Sequence, residues 1–224
     1  VFGRASAGER VTVELAGVHA EAQADAAGAW RVDLEGVQGT GPFEMVVRAG
    51  QAEVKYRDVL VGEVWLCSGQ SNMEWAVRLA NNPKEEMAGA SRPRIRLLNL
   101  PRISSAEPQT DQPATWQVCS PETVADFSAV GFFLGRTLHE ALDIPIGLID
   151  SSWGGTPAEA WTPLNTMQAL TDLPTVVEAI RWAQPGASEH ARADYTARFR
   201  AGIEATGGHP PPNDTATASW ADVN

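Results

Sequence analysis

The sequence predicts an α/β protein in which a small antiparallel β-sandwich precedes a parallel sheet with helices packed on it. Three observations predict this. Residues 1–58 hold short runs of alternating apolar and polar residues, separated by turn residues. Near Val59 the alternation gives way to unbroken apolar runs. From there, strand and helix signals alternate, the order that builds a parallel sheet.

In the first region Val11, Val13 and Leu15 alternate with polar neighbours. So do Trp30, Val32 and Leu34, then Phe43, Met45 and Val47, then Val54 and Tyr56. Turns fall at Asp25 to Gly28, Gly39 to Pro42 and Gly50-Gln51, where Gly, Pro and Asp allow the chain to reverse. Four or five short strands at this spacing form a packing module. The alternative is a sugar-stacking face built from Trp30 and Tyr56.

The second region spans 59–165. Val59 to Cys67 is nearly all apolar and is expected to be a strand buried on both faces. A turn at Ser68 to Ser71 and a helical stretch from Asn72 to about Ala80 follow. Ile95 to Leu100 is a second strand, and a long polar surface loop runs from Pro101 to Trp116. Ala129 to Leu142 is a helix with Ser128 as its N-cap, and Ile146 to Asp150 is a third strand. Residues 166–208 form a helical segment in which Tyr195, Phe199 and Ile203 make a docking stripe. Residues 209–224 open with His209 and three prolines and read as a linker.

Charge and composition exclude several functions. The chain has 224 residues, with 17 Lys and Arg against 28 Asp and Glu, a net charge of −11. An acidic surface repels phosphate backbones, so nucleic acid is not the expected partner. No apolar run is long enough for a membrane span, and no signal peptide is visible. Val1 reads as mid-strand and Asn224 as no structural end, so both natural termini are expected to lie beyond this chain. Cys67 and Cys119 are either two buried thiols or one bridge, and make neither a disulfide scaffold nor a metal cluster.

Two segments could carry chemistry. Gly62 to Trp75 reads Gly-Glu-Val-Trp-Leu-Cys-Ser-Gly-Gln-Ser-Asn-Met-Glu-Trp. A strand ends, the chain turns at Gly69 and a helix starts, which puts Ser71 at the carboxyl end of a parallel strand, where α/β sites form. Backbone N–H groups there could stabilise an oxyanion beside a serine nucleophile. The same spacing, Ser71-x-x-Glu74, is also a capping box, which explains the serine without catalysis. Met73 replaces the second glycine of a Gly-x-Ser-x-Gly elbow, so that motif is absent. The second segment, Gly147 to Trp161, ends a strand in Trp153-Gly154-Gly155-Thr156, a turn whose glycines can present N–H groups to a ligand. Pro157 suits the first position of the following helix.

Together these segments resemble the SGNH hydrolase superfamily, and within it the sialate O-acetylesterase-like carbohydrate esterases. Gly69-Gln70-Ser71-Asn72-Met73 resembles the nucleophile block, and residues 147–157 resemble the second block. The stretch from Phe127 to Gly135 and the opening Val1-Phe2-Gly3-Arg4-Ala5 are also similar. The resemblance implies a three-layer α/β/α, flavodoxin-like domain. It also implies hydrolysis of O-acetyl esters on carbohydrate through an acetyl-serine on Ser71, with no metal or cofactor. The N–H groups of Ser71 and Gly155 would hold the oxyanion. Gln70, Asn72, Trp153, Gly154 and Glu159 would lie near substrate, as would Trp75 and Trp161 unless they only pack.

Such a family also needs an oxyanion-hole Asn and an Asp-x-x-His pair, and neither is found. His19, His139, His190 and His209 lack the spacing, and none is assigned as the base. The expectation is that a companion polypeptide supplies Asn, Asp and His, after cleavage in the Pro/Gly linker or from a missing C-terminal part; the resemblance also implies that Asp214 to Asn224, with Trp220, open a β jelly-roll inserted after the second block. Two other functions stay open: a non-catalytic carbohydrate-binding protein on the same scaffold, and a folding or docking unit. The substrates implied are acetylated sialic acid and acetylated xylan-type polysaccharide, in a periplasmic or extracellular setting.

Overall fold

The computed structural model describes residues 1–103, 105, 109–169, 197 and 201. They divide into two units, Val1–Arg102 with Asp111–Gly155, and Ile103–Thr110 with Thr156–Asn224.

The first unit opens with β1 (Phe2–Arg4), β2 (Arg10–Leu15), β3 (Val18–Gln23), β4 (Ala29–Arg31), β5 (Phe43–Ala49) and β6 (Ala52–Val59). Four of these make an antiparallel sheet in the order β3-β2-β5-β6, and β1 pairs with β4 in a two-stranded ribbon. Strand β2 alternates as the sequence predicts: Val11, Val13 and Leu15 are buried, and the residues between them are not. Trp30 of β4 packs into the same cluster as Val11, Val13 and Val32. Strand β3 turns only Val18, Ala20 and Ala22 inward, opposite Leu15, Val13 and Val11. It is held by the two-residue turn Ala16-Gly17, with φ of 52° and 80°, the paired positive values of a type I′ hairpin. On the outer face, Arg10 pairs with Glu21 and Arg48 with Glu14 and Glu53. The strand expected through Leu34 stops at Arg31.

The rest of the unit holds β7 (Glu63–Gly69), α1 (Ser71–Glu74), α2 (Pro83–Ala88), β8 (Arg92–Asn99), β9 (Gln117–Cys119), α3 (Pro121–Val124), α4 (Ala129–Leu142) and β10 (Ile146–Ser152). A 3-10 turn at Val77–Leu79 breaks the helical stretch expected from 72 to 80. The sheet order is β7-β10-β8-β9, with β10 parallel to both β7 and β8, and β9 antiparallel to β8. This mixed sheet with its helices is an α/β fold.

Register explains where the core lies. Ile146 faces Ile95 across the ladder, Leu148 faces Leu97, and Asp150 faces Cys67. Side chains alternate along a strand, so all six share one face. Cys67, Ile95, Leu97, Ile146 and Leu148 are buried there with Phe127 and Phe132. Helices α1 to α4 contribute Met73, Met87, Val124 and Phe132 to this one cluster. Ser128 caps α4 by accepting the Gly131 N–H at 3.0 Å. Two glycines one turn apart bring α4 close to the sheet. A Cβ on Gly131 would stand 2.7 Å from Cys67 Sγ, and one on Gly135 would stand 2.6 Å from Leu148 Cδ1.

One expectation is corrected. The strand ending at Cys67 is not buried on both faces. Among the described residues it is an edge strand paired with β10 alone, and Val64 and Leu66 are 61% and 64% exposed on the face away from α4. Their apolar character made the segment look central.

The second unit holds a 3-10 turn (Ala158–Trp161) and α5 (Leu164–Gln168). Pro157 stands one position before that turn, as its cap, with φ −76° and ψ 162°. The docking stripe of Tyr195, Phe199 and Ile203 and the linker from 209 to 224 lie outside the described residues. Among the described residues no helix is long and apolar enough to cross a membrane.

Candidate active site

Strand β7 ends at Gly69, whose φ of 145° lies where glycine is favoured. The chain then turns at once into α1. Gln70 is the N-cap and Ser71 the first residue of a single turn ending at Glu74. Ser71 is exposed. Its Oγ donates to Gln70 Oε1 at 2.8 Å, and its N–H donates to the same oxygen at 3.0 Å. A carbonyl oxygen seeking the Ser71 N–H must therefore displace the Gln70 side chain. A helix of one turn has little dipole, so the local N–H groups are the electrostatic resource here.

Strand β10 brings up the second segment. Its register with β7 runs to the last residue, Ser152 opposite Gly69, and the Trp153 N–H then donates to the Gly69 carbonyl at 2.9 Å. The two strands end together and their turns leave side by side. The Gly154 N–H donates to Glu74 Oε2 at 2.7 Å, and Arg102 pairs with the other oxygen of that carboxylate. A Cβ on Gly154 would meet Glu74 Oε2 and stand 3.5 Å from Ser71 Cα, so the glycine leaves room for the carboxylate to reach the amide. Gly155, at φ 76°, opens into free space.

Beneath the turns lies Asp150, half-buried on the α4 face of β10. Burial pushes its carboxyl above the ordinary range, against the opposing pull of the Ser152 hydroxyl, which donates to it at 2.6 Å. The Ser128 backbone and the charge of Arg102 pull it the same way as Ser152, and Glu74 pushes it further up. Cys67, on the same face, is a buried free thiol whose pKa is raised by that burial and by Asp150. Cys119 is also buried and free, so the two cysteines form no bridge.

The structure thus brings together Gln70, Ser71, Asn72, Trp153, Gly154 and Gly155. Asn72 and Trp75 are exposed on and after α1, and the Trp75 indole donates to the Leu79 carbonyl at 3.0 Å. Glu159 and Trp161 belong to the 3-10 turn of the second unit, where the Trp161 indole donates to Thr156 Oγ1 at 2.7 Å. The capping-box reading is corrected. Gln70, not Ser71, is the cap, and Glu74 reaches Gly154 and Arg102 rather than the start of its own helix. Glu74, Arg102 and Asp150 are site neighbours that the sequence reading missed. Local spacing holds no signal for them, because their partners come from other elements.

Neither described histidine stands at Ser71. His19 lies on β3 near Glu14, and His139 Nδ1 bonds the Ile144 carbonyl at 2.7 Å behind α4. His190 and His209 lie outside the described residues. Among the described residues no group of three His, Cys, Asp or Glu side chains could hold a metal ion.

An exposed serine thus follows the end of one parallel strand, beside a glycine turn that leaves the neighbouring strand. The profile of a carbohydrate esterase family, sialic acid-specific acetylesterase, matches residues 61–206, and the chain belongs to this family. It is 36% identical to human sialate O-acetylesterase over 153 residues, which cover 62% of this chain and 29% of that protein. It is 35% identical to the mouse sialate O-acetylesterase over the same length, covering 28% of that protein. Among solved structures it is similar to a carbohydrate acetylesterase from Xanthomonas citri, with TM-score 0.71 and 34% identity, over 75% of this chain and 39% of the other. The chain thus spans less than a third of the length of these curated relatives.

Proposed function

We propose that the chain carries the nucleophile of a serine esterase that removes O-acetyl groups from carbohydrate. One observation carries the reading: exposed Ser71, two residues past the end of β7, stands directly beside the Gly154-Gly155 turn that follows β10. In this reading the Ser71 hydroxyl loses its proton to a base, and Oγ attacks the acetyl carbonyl carbon. The N–H groups of Ser71 and Gly155 hold the resulting oxyanion. The bond to the sugar oxygen breaks, and the sugar leaves as an alcohol with the proton from the base. Water then attacks the acetyl-serine, releasing acetate and restoring Ser71.

The base is the part that the described residues do not contain. The proposal includes an Asp–His pair and an oxyanion-hole Asn from a companion polypeptide or from further chain. The coverage of the relatives supports this, since 29% of the human protein aligns here. The proposal also includes a second helical layer over the Val64–Leu66 face, completing a three-layer domain, a sandwich of the first two sheets, and an exported location. Acetylated sialic acid and acetylated xylan-type polysaccharide are the two substrates in view, and the relatives' names favour the first.

Comparing Ser71→Ala with wild type tests the reading, using p-nitrophenyl acetate and acetate release from both acetylated carbohydrates. Loss of a nucleophile costs on the order of 10³-fold or more. With the completing polypeptide present, equal rates, or no turnover by either protein, overturn the esterase reading in favour of a carbohydrate-binding protein. Intact mass of the active preparation tests the companion: a single 24.0 kDa species with full activity contradicts it. Fractionation of the producing cells tests the location.

A further inference from the structure

The second glycine turn has little of its own to hold it beside Ser71. Gly154 and Gly155 contribute no side chain, and Gly155 has open space around it. The β10 ladder ends at Ser152, and the last backbone bond to the β7 side is Trp153 N–H to Gly69. Beyond that point a glycine pair is free to choose among many conformations. The 2.7 Å bond from the Gly154 N–H to Glu74 Oε2 restricts that freedom at the glycine pair itself.

Three features make this contact more than a surface hydrogen bond. Glu74 is the last residue of the turn that starts with Ser71, so nucleophile and tether ride on one rigid piece. Its side chain is 26% exposed and its second oxygen is engaged by Arg102, so the carboxylate is aimed from both ends. A hydrogen bond to an ionised acceptor is about twice as strong as a neutral one. The approach is also close: a Cβ on Gly154 would meet this same carboxylate oxygen and push it aside.

We propose that Glu74 is a positioning residue: held by Arg102, its carboxylate clamps the Gly154 amide and so sets the direction of the next amide, that of Gly155, towards the oxyanion formed at Ser71. This rests on the reading of Ser71 and Gly155 given above. The inference gives Glu74 no contact with substrate and no proton to move.

The test uses the active preparation, this chain with whatever polypeptide completes it, and measures kcat and KM separately on p-nitrophenyl acetate. Removing an oxyanion donor outright costs about 10²–10³-fold in kcat, so misaiming one is expected to cost about 10–100-fold. Glu74→Ala should show that loss in kcat, with KM changed by less than about threefold. Glu74→Gln keeps an oxygen for the Gly154 amide and should recover most of it. Arg102→Gln, a change at an exposed side chain, should lower kcat by about threefold or more, and should add nothing in the Glu74→Ala background. A Glu74→Ala enzyme with wild-type kcat, a loss carried by KM, or a Glu74→Gln enzyme as impaired as the alanine variant overturns the proposal. If Glu74→Ala does not fold, unchanged kcat and KM in Arg102→Gln overturn it as well. Ser71→Ala separates the two levels. Activity surviving there removes the nucleophile reading, whereas activity lost there with Glu74→Ala unaffected removes only the clamp.

Discussion

Replacing Gly135 by Ala sets two known effects against each other. In a helix interior, Ala is more favourable than Gly by about 0.5–1 kcal/mol. At this position, however, the new methyl would stand 2.6, 2.9 and 3.1 Å from Cδ1, Cδ2 and Cγ of Leu148. All three atoms belong to one branched end, so rotating a single methyl does not make room. Leu148 is fully buried between β7, β8 and α4, so it cannot swing into solvent. Overpacking of this kind costs about 1–3 kcal/mol. The clash exceeds the propensity gain, and the variant is expected to be less stable by about 1–2 kcal/mol. For a chain of this size that corresponds to a melting point lower by roughly 2–8 °C. Thermal and urea unfolding measure it directly. Adding Leu148→Val, which removes a carbon from the clash, should return part of the loss. A melting point that stays level or rises would refute the reasoning, because α4 would then not be held at this distance by its glycines.

Three further outcomes follow from single sites. Asp150 has its folded-state pKa raised by burial, so the native state binds more protons than the unfolded chain between the ordinary value and the raised one. Its cost to stability therefore appears as pH rises through that window and is fully present above it. Asp150→Asn should gain on wild type between pH 4 and pH 7 in urea midpoint, and a wild-type advantage that grows with pH would contradict this. Ala16 holds a φ of 52° that L-residues avoid, so Ala16→Asn, making an Asn-Gly hairpin turn, should stabilise by about 0.5–1 kcal/mol; an unchanged or lower melting point refutes it. Cys119 is pushed up to about 11 by burial. At pH 8 only about one thiol in a thousand is ionised, so iodoacetamide should label it only after unfolding, and fast native labelling would count against the burial.

Much of the fold was legible because it rests on local signals. Val11, Val13 and Leu15 announce β2 by alternation, and Ser128 with the apolar stripe after it marks α4 from its cap onward. What stayed hidden depends on partners distant in sequence. Strand β3, with Val18, Ala20 and Ala22 as its inward residues, has too little apolar bulk to be seen, and pairing with β2 makes it a strand. The run before Cys67 looked central because its composition is that of a buried parallel strand. Whether such a strand is central depends on what pairs with its second edge, and no residue within the run encodes that.

The site divides along the same line. Ser71 and the glycine pair at 154–155 stand out because a strand, a tight turn and small residues follow one another in the chain, twice. Glu74 does not stand out, because Ser-x-x-Glu spacing serves a capping box and a tether equally well. The choice between them is made by β10. With Ser152 placed opposite Gly69, the Gly154 amide arrives within reach of the carboxylate, and Glu74 accepts from it rather than from the start of its own helix. A slip of one residue in that ladder would turn every side chain of β10 to the other face. Leu148 and Asp150 would leave the core, so the packing that buries Leu148 against α4 is also what delivers Gly154 to Glu74.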